Sequence, residues 1–79
     1  NLWVRYHAAV LIGEMEDNSL EDSLLEIIVK DEPPVAAACA RALERCGSKK
    51  SVEVLKRLAG HPDGNVREAV ERALEALLC

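Results

Sequence analysis

The sequence repeats itself with a period of 31 residues. The segment VRYHAAVLIGEM at 4–15 aligns without a gap with VAAACARALERC at 35–46 and with VREAVERALEAL at 66–77. Apolar residues recur at i, i+4, i+7, i+8 and i+11 of each copy, which is the stripe of an amphipathic helix. A repeat of this kind constrains the fold strongly, because each copy has to bury its stripe against a neighbouring copy.

The aligned apolar columns are expected to form the core. The columns are Val4/Val35/Val66, Ala8/Cys39/Val70, Leu11/Ala42/Ala73, Ile12/Leu43/Leu74 and Met15/Cys46/Leu77. Between the copies, SLLEIIVK at 23–30 aligns with VLKRLAGH at 54–61, so each unit has a second, shorter amphipathic helix. Aromatic residues make up only 3% of the chain, and a core of Leu, Val, Ile and Ala suits packed helices.

Five helices are therefore predicted, over 2–15, 19–30, 33–46, 49–59 and 64–78. Residue types that start or stop helices stand at these limits. They are Asn18 with Glu21 as a capping box, Pro33 in a first turn, Gly47 as a left-handed C-terminal residue, Ser48 as an N-cap, Gly60 at a helix end and Asp63 as an N-cap. The predicted fold is an all-α, right-handed α–α superhelix.

The chain is read as one domain of about two and a half repeat units. The units are 1–31, 32–62 and the first helix of a third at 63–79. A start without methionine, inside a helical pattern, indicates a piece of a longer chain. The last helix has no second helix after it, so Leu74, Leu77 and Leu78 are expected to leave an apolar flank open for self-association or for continuation of the array.

The repeat also resembles a known family. The pattern D-x-x-V-R-x-x-A-x-x-A-L with a 31-residue, two-helix period is similar to the HEAT-like repeats of phycobilisome lyases and of artificial HEAT-like repeat proteins. DGNVR at 63–67 and NLWVR at 1–5 match its opening, with Asn1 at the usual Asp position. The resemblance implies that this Asp and Arg tie neighbouring repeats together. The middle unit has EPPVA at 32–36, and Ala36 breaks any continuous ladder of arginines.

Charge and cysteine content exclude several classes of protein. Ten basic and fourteen acidic residues give a net charge of −4, which argues against a general nucleic-acid binder. No apolar run approaches the roughly 18 residues of a membrane span, and no signal-peptide pattern opens the chain. Cys39 and Cys46 lie about 10.5 Å apart along a helix, too far for a disulfide, so reduced cysteines and an intracellular, cytoplasmic location are expected.

No residue pattern points to catalysis, a metal or a cofactor. Cys39 and Cys46 occupy core columns, and Cys79 is expected to be an exposed thiol without an activating neighbour. One HEAT-like family, a di-iron hydroxylase of a protein lysine derivative, uses paired His-Glu ligands. Here Ala8 follows His7 and Pro62 follows His61, so that motif is absent and both histidines are expected to be structural or solvated.

The function expected is a non-enzymatic protein-interaction or scaffolding module. The resemblance implies that the second helices line a concave binding face. The candidate partner-binding residues there are Asp22, Leu25, Glu26, Val29, Glu53, Lys56 and Arg57. Glu21 is also expected at a non-core position of this face, with Lys49 and Lys50 nearby. One helix is acidic and the next is basic, so the groove suits a partner protein with complementary charges. The alternative is that the two faces are ordinary solvated surfaces that pair with each other.

Trp3 and Tyr6 lie three residues apart, on one face of the first helix. Aromatic residues are enriched at interaction hot spots, so the pair is a further candidate for partner binding. The alternative is packing against a preceding repeat. Two other functions stay open: a chromophore- or cofactor-handling lyase-type subunit, and a HEAT module that binds the nucleic-acid backbone, against which the acidic balance counts.

Overall fold

The computed structural model describes residues 1–16 and 18–78 of the chain. Within them it contains one short 3-10 helix, Asn18–Leu20, and five α-helices. These are α1 (Leu2–Met15), α2 (Glu21–Ile28), α3 (Pro33–Cys46), α4 (Lys49–Arg57) and α5 (Gly64–Leu78). The described part of the chain has no strand, which confirms the all-α fold, and the limits predicted for the three long helices are confirmed.

The helices form two layers. The long helices α1, α3 and α5 lie side by side in one layer, and α3 packs against both of its neighbours. The short helices form the second layer, in which α2 packs chiefly on α3 and α4 on α5. Each short helix thus covers the long helix that follows it. This arrangement is consistent with a solenoid, and the division into units at 31 and 62 stays a prediction.

The core is centred on α3, the helix with the most neighbours. Residues 35–40, together with Ala42, Leu43 and Cys46, are buried. Five of these nine residues are alanines, and small side chains let adjacent helices approach closely. Helices α1 and α3 approach closely at Gly13 of α1, where an added Cβ would lie 3.0 Å from the Cα of Ala42.

The predicted core columns hold for α3 and α5, but in α1 they hold only for Ile12, which is half-buried and packs against the core, and are wrong for the other four residues. Val35 and Val66 are fully buried, whereas Val4 of the same column is 67% exposed. Leu11 and Met15 are also largely exposed, and Ala8 is exposed. The buried residues of α1 are instead Ala9 and Gly13, which face α3. The stripe is exposed because no described helix lies on that side of α1.

The open flank expected on the last helix is wrong for two of its three residues. Leu74 and Leu77 are half-buried and pack against the core. Leu77 lies beside Gly47, in the link between α3 and α4, and α4 packs on α5, so the last helix does have a short helix against it, the preceding one. Leu78 alone of the three is exposed.

Helix starts follow the repeat closely. The Asp63 carboxylate accepts hydrogen bonds from the backbone N–H groups of Asn65 and Val66, at 2.9 and 3.1 Å, which confirms it as the cap of α5. The Asn1 side chain accepts the N–H of Trp3 at 2.8 Å and caps α1 in the equivalent position. Pro33 stands in the first turn of α3, as predicted.

Two of the other predicted boundary signals are wrong, and a third is confirmed only in its position. No side chain caps α2, whose N-cap is Leu20, so Asn18 and Glu21 form no capping box. Ser48 is the N-cap of α4, but its hydroxyl makes no capping bond. Gly47 has φ −80° rather than a left-handed conformation. Glycine is nevertheless required there by space, because a Cβ would lie 2.6 Å from the Leu43 carbonyl oxygen.

The short helices end earlier than predicted. Ile28 ends α2 and Arg57 ends α4, and turns at 29–30 and 58–60 follow them. Gly60 therefore lies in the turn beyond α4 rather than at its last residue. No helix of the described segments is both long and apolar enough to cross a membrane.

Candidate functional site

The exposed side of the second layer carries most of the predicted partner-binding residues. Leu24 and Ile28 of α2 and Val52 and Leu55 of α4 are buried, and they hold the two helices on the long helices. Glu21 and Ser51 are buried as well, and the charged side chains of the two helices other than Glu21 are exposed. We define the α2–α4 surface as Asp22, Glu26, Val29, Glu53, Lys56 and Arg57, all of which are exposed.

A buried carboxylate joins the two short helices at their N-terminal ends. Glu21 is only 4% exposed. Its carboxylate accepts the backbone N–H of Ser48 at 2.7 Å, the Ser48 hydroxyl at 2.9 Å and the Ser51 hydroxyl. These bonds fix the start of α4 against the start of α2. A carboxylate beside a helix N-terminus is also stabilised by the helix dipole.

The hydrogen bonds determine the ionisation of Glu21. Burial by itself raises the pKa of this carboxyl, but the bonds from Ser51 and Ser48 and the charge of Lys50 lower it by more. The pKa therefore lies below the ordinary value of 4.5, and Glu21 is charged at neutral pH. A carboxylate with a lowered pKa is a weak base, so it is poorly suited to activate the serine hydroxyls bonded to it.

The prediction that Glu21 occupies a non-core position of the binding face is wrong, because Glu21 is buried, although the repeat contains a signal for its burial. In the 31-residue register Glu21 aligns with Val52, which is buried. A charged residue in a column that is apolar elsewhere needs hydrogen-bond partners when it is buried. Ser48 and Ser51 supply them from the neighbouring helix.

One ion pair crosses between the acidic and the basic helix. The Lys50 ammonium lies 2.7 Å from the Asp22 carboxylate, and hydrogen bonding to Asp22 raises the pKa of Lys50. Both side chains are more than half exposed, so the pair contributes little to stability. At Asp22 and Lys50, therefore, the acidic face of α2 and the basic face of α4 pair with each other, as the alternative interpretation predicts.

The other predicted residues of α2 and α4 differ in their surroundings. Leu25 is half-buried and packs against the core, so part of its side chain is already used. Glu26 lines a shallow cleft of about 280 Å³ with Arg5, Lys30 and neighbouring residues. Val29 lies in the turn after α2 and is exposed. Contact of these residues with a partner stays a prediction.

The aromatic pair lies on the other side of the molecule, beside the long helices. Trp3 is 56% exposed, and its ring meets that of Tyr6 edge-on with centroids 5.5 Å apart. Tyr6 is half-buried and packs against the core. With Pro33, Pro34 and Ala37 among the lining residues, the pair borders an open groove of about 320 Å³. The structure thus separates Trp3 and Tyr6 from the α2–α4 surface.

The two motif arginines make different contacts. Arg5 forms a bidentate pair with Asp31 at 2.6 and 2.9 Å, which ties α1 to the turn before α3, and the guanidinium lowers the pKa of that carboxyl. Arg67 donates to the backbone carbonyls of His61 and Pro62, in the turn just before its own helix. Ala36 makes no such contact. By the predicted unit bounds, Arg5 and Asp31 both lie in the unit 1–31, whereas Arg67 contacts the end of the preceding unit. The implied tie between neighbouring repeats therefore fits Arg67 and not Arg5.

The histidines and the two helical cysteines, which are expected to have structural roles, make the following contacts. His61 accepts the backbone N–H of Asp63 through Nδ1 at 3.0 Å, and the exposed His7 ring packs edge-on against Tyr6. Cys39 is fully buried, and burial raises the pKa of its thiol to about 12, with a smaller contribution from Asp31. Cys46 is also a buried thiol. The predicted terminal thiol, Cys79, lies outside the described residues.

Among residues 1–16 and 18–78, no three His, Cys, Asp or Glu side chains are grouped so that they could hold a metal ion. Comparison with curated proteins finds no match, and comparison with solved structures finds none. A family model described as HEAT repeats, by contrast, matches residues 1–76. That match covers α1 to α4 and all of α5 except its last two residues, and HEAT repeats generally mediate protein–protein interaction. The chain belongs to the HEAT-repeat family.

Proposed function

We propose that this chain is a non-enzymatic interaction module that binds a partner protein on the α2–α4 surface. The observation that carries the proposal is the Glu21 hydrogen-bond cluster, which fixes two oppositely charged helices side by side. Beyond the Asp22–Lys50 pair, α2 presents Glu26, while α4 presents Lys56 and Arg57. A rigid surface with ordered charges favours specific partners and fast association.

The environment of the nucleophilic groups supports a non-enzymatic role. The Cys39 thiol is buried and its pKa is raised to about 12, so it is not a reactive thiolate at neutral pH. The hydroxyls of Ser48 and Ser51 donate to Glu21, whose pKa is lowered. A chromophore-handling or nucleic-acid-binding role has no comparable observation in its favour.

The test is a charge-reversal pair that leaves the net charge unchanged, Glu26→Lys with Lys56→Glu. The matched control is Arg41→Glu with Glu75→Lys, which exchanges exposed charges on the long helices. A photo-crosslinking residue at Val29 would capture proteins from the host extract for mass spectrometry at low salt. We expect a protein captured by the native chain and the control to be lost with the double variant.

The opposite result would contradict the proposal. If capture survives the reversal at Glu26 and Lys56, or if the control loses it equally, the α2–α4 surface is not the binding face. Incubation with a bilin, followed by visible absorbance, tests the lyase alternative. A gel shift over a salt series tests the nucleic-acid alternative.

A further inference from the structure

The side of the molecule that carries the aromatic pair has a groove that the α2–α4 surface does not share. Its volume is about 320 Å³, and none of the described residues that line it belongs to α2 or α4. The groove runs from α1 across the start of α3 to the start of α5. We define the outer groove by six of its residues, which belong to α1 and α3: Trp3, Tyr6, Pro33, Pro34, Ala37 and Arg41.

The outer groove has an apolar floor and a rigid aromatic wall. Ala37 is buried, and Pro33 and Pro34 are half-buried. The Trp3 and Tyr6 rings meet edge-on at an interplanar angle of 76°, so they form a step at one side of this floor. Proline has a fixed φ, and Trp and Tyr have only two side-chain torsions, so binding here orders few groups of the protein.

The polar groups around the floor are mainly groups that donate hydrogen bonds. They are the Trp3 indole N–H, the Tyr6 hydroxyl, the Arg41 guanidinium and the Asn65 amide on the α5 side. Within residues 1–16 and 18–78, these side chains make no hydrogen bond, and Arg41 forms no ion pair. The Asp63 carboxylate, by contrast, already accepts two backbone N–H groups. The groove therefore suits a ligand that supplies acceptors and a negative charge.

We propose that the outer groove binds an acidic, proline-rich segment of a partner protein in the polyproline II conformation. Proline has no backbone N–H, so such a segment presents carbonyl acceptors and few donors of its own. Segments of this kind dock in aromatic-lined grooves because their conformation is set before binding. Proline rings pack on Trp3, Tyr6 and Ala37, and an acidic side chain of the segment pairs with the Arg41 guanidinium.

The position of Arg41 fits an elongated ligand. Arg41 lies eight residues beyond Pro33 on α3, so the groove extends about 12 Å along that helix. A polyproline II segment rises about 3.1 Å per residue, so about four residues cover this distance. Arg41 also lines two neighbouring clefts, of about 190 Å³ beside α1 and about 260 Å³ beside α5. Its guanidinium can therefore be reached by an acidic residue from either side of α3.

Fluorescent peptides test the proposal on the intact chain. The probes are PPLPEPPLPE and a set of related peptides in which a single glutamate occupies each position in turn. Two comparison peptides replace every glutamate by lysine or every proline by alanine. Anisotropy of the labelled peptides gives the dissociation constants. With unlabelled peptide, a shift in the emission of Trp3, the only tryptophan, reports contact within the groove.

We expect members of the acidic proline-rich set to bind and both comparison peptides to bind at least about tenfold more weakly. Arg41→Glu should weaken binding at least about tenfold, because it replaces an attraction by a repulsion, and Trp3→Ala by a similar factor. The matched control Arg57→Glu makes the same charge change on α4 and should alter the affinity less than about twofold. Because all three residues are exposed, the melting temperatures should stay close to that of the native chain.

The outer groove and the α2–α4 surface are independent proposals, and their variants separate them. Glu26→Lys with Lys56→Glu should leave peptide binding unchanged. Arg41→Glu with Glu75→Lys, which is the control for the α2–α4 surface, should lose the peptides and keep the protein captured at Val29.

Four outcomes would overturn the proposal. The first is that no acidic proline-rich peptide binds with a dissociation constant below about 1 mM. The second is equally tight binding of the alanine peptide, because the groove would then not select proline. The third is an equal loss of affinity with Arg41→Glu and Arg57→Glu. The fourth is tighter binding of a short oligothymidine than of the peptides, because the aromatic pair would then be a stacking site for nucleic-acid bases.

Discussion

Helices α1 and α3 carry the same stripe in the same register and place it in opposite environments. Val35 of α3 is fully buried and Val4 of α1 is 67% exposed, although both are valines at equivalent positions of helices of equal length. The difference arises outside the stripe, because α3 has helices against it on three sides and α1 packs chiefly against one. Whether a residue of a repeat is buried therefore depends on the helices packed beside it as much as on its own side chain.

The comparison extends to function. The buried residues of α1, Ala9 and Gly13, are small and pack against α3, whereas the apolar residues Val4, Leu11 and Met15 are exposed. In the second layer, the side of α2 and α4 that faces the core is equally apolar, but their outer side is charged. An exposed apolar side, as on α1, is typical of permanent packing interfaces. An exposed charged side, as on α2 and α4, is typical of surfaces that bind a soluble partner.

The largest expected effect separates the two sides of α1. Gly13→Leu should destabilise the protein by about 3 kcal/mol, because a Cβ at Gly13 already lies 3.0–3.1 Å from Ala42 and α1 would have to move away. Leu11→Ala, on the open side, should change the free energy of unfolding by less than about 0.5 kcal/mol. Urea denaturation monitored by circular dichroism measures both.

The control for this prediction is Gly60→Leu. A Cβ at Gly60 meets nothing within 4 Å, so the same substitution should be tolerated there. Equal costs at Gly13 and Gly60 would show that α1 does not lie against α3 as described.

A smaller effect separates two adjacent acids of α2. Glu21→Ala should cost about 2 kcal/mol, because it leaves the Ser48 N–H and the Ser51 hydroxyl without their acceptor. Asp22→Ala removes only an exposed ion pair with Lys50 and should cost less than about 0.5 kcal/mol. Thermal unfolding of the two variants checks the difference, and a larger cost at Asp22 would contradict the Glu21 cluster.

The smallest effect in this series is the pH dependence that Glu21 causes. Its pKa in the folded protein is below 4.5, so as the pH falls the unfolded chain binds the proton first. The stabilisation is therefore complete above about pH 5 and is lost as the pH falls through the lowered pKa. Glu21→Gln should make the melting temperature less dependent on pH between 5 and 3, a range in which Asp31 also contributes. An unchanged pH profile would contradict the lowered pKa.

Much of the fold was predictable because the signals are local. The limits of α1, α3 and α5 follow from the 3.6-residue periodicity, and caps such as Asp63 act on backbone groups two or three residues away. Burial of Val35, Cys39 and Val66 followed as well, since both neighbours of each stripe are present in the chain.

The features that sequence reasoning did not predict depend on contacts between distant residues, which the periodicity of the sequence does not indicate. The alignment indicates that Val4 corresponds to Val35, but it does not indicate whether a helix covers Val4. The buried Glu21 depends on Ser48 and Ser51, which are 27 and 30 residues away. The alignment of units also does not indicate that α2 packs chiefly on α3 and α4 on α5, nor that Leu77 lies beside Gly47.

The most direct test of this account is the same substitution at the three equivalent valines. Val35→Ala and Val66→Ala should each cost about 1.5–3 kcal/mol, the loss of buried methyl groups and the cavity left behind. Val4→Ala should cost nothing or stabilise the protein slightly, because Val4 is exposed and alanine is the better helix former. Equilibrium urea denaturation of the three variants gives the result. Equal costs at all three positions would contradict the finding that Val4 is exposed while Val35 and Val66 are buried.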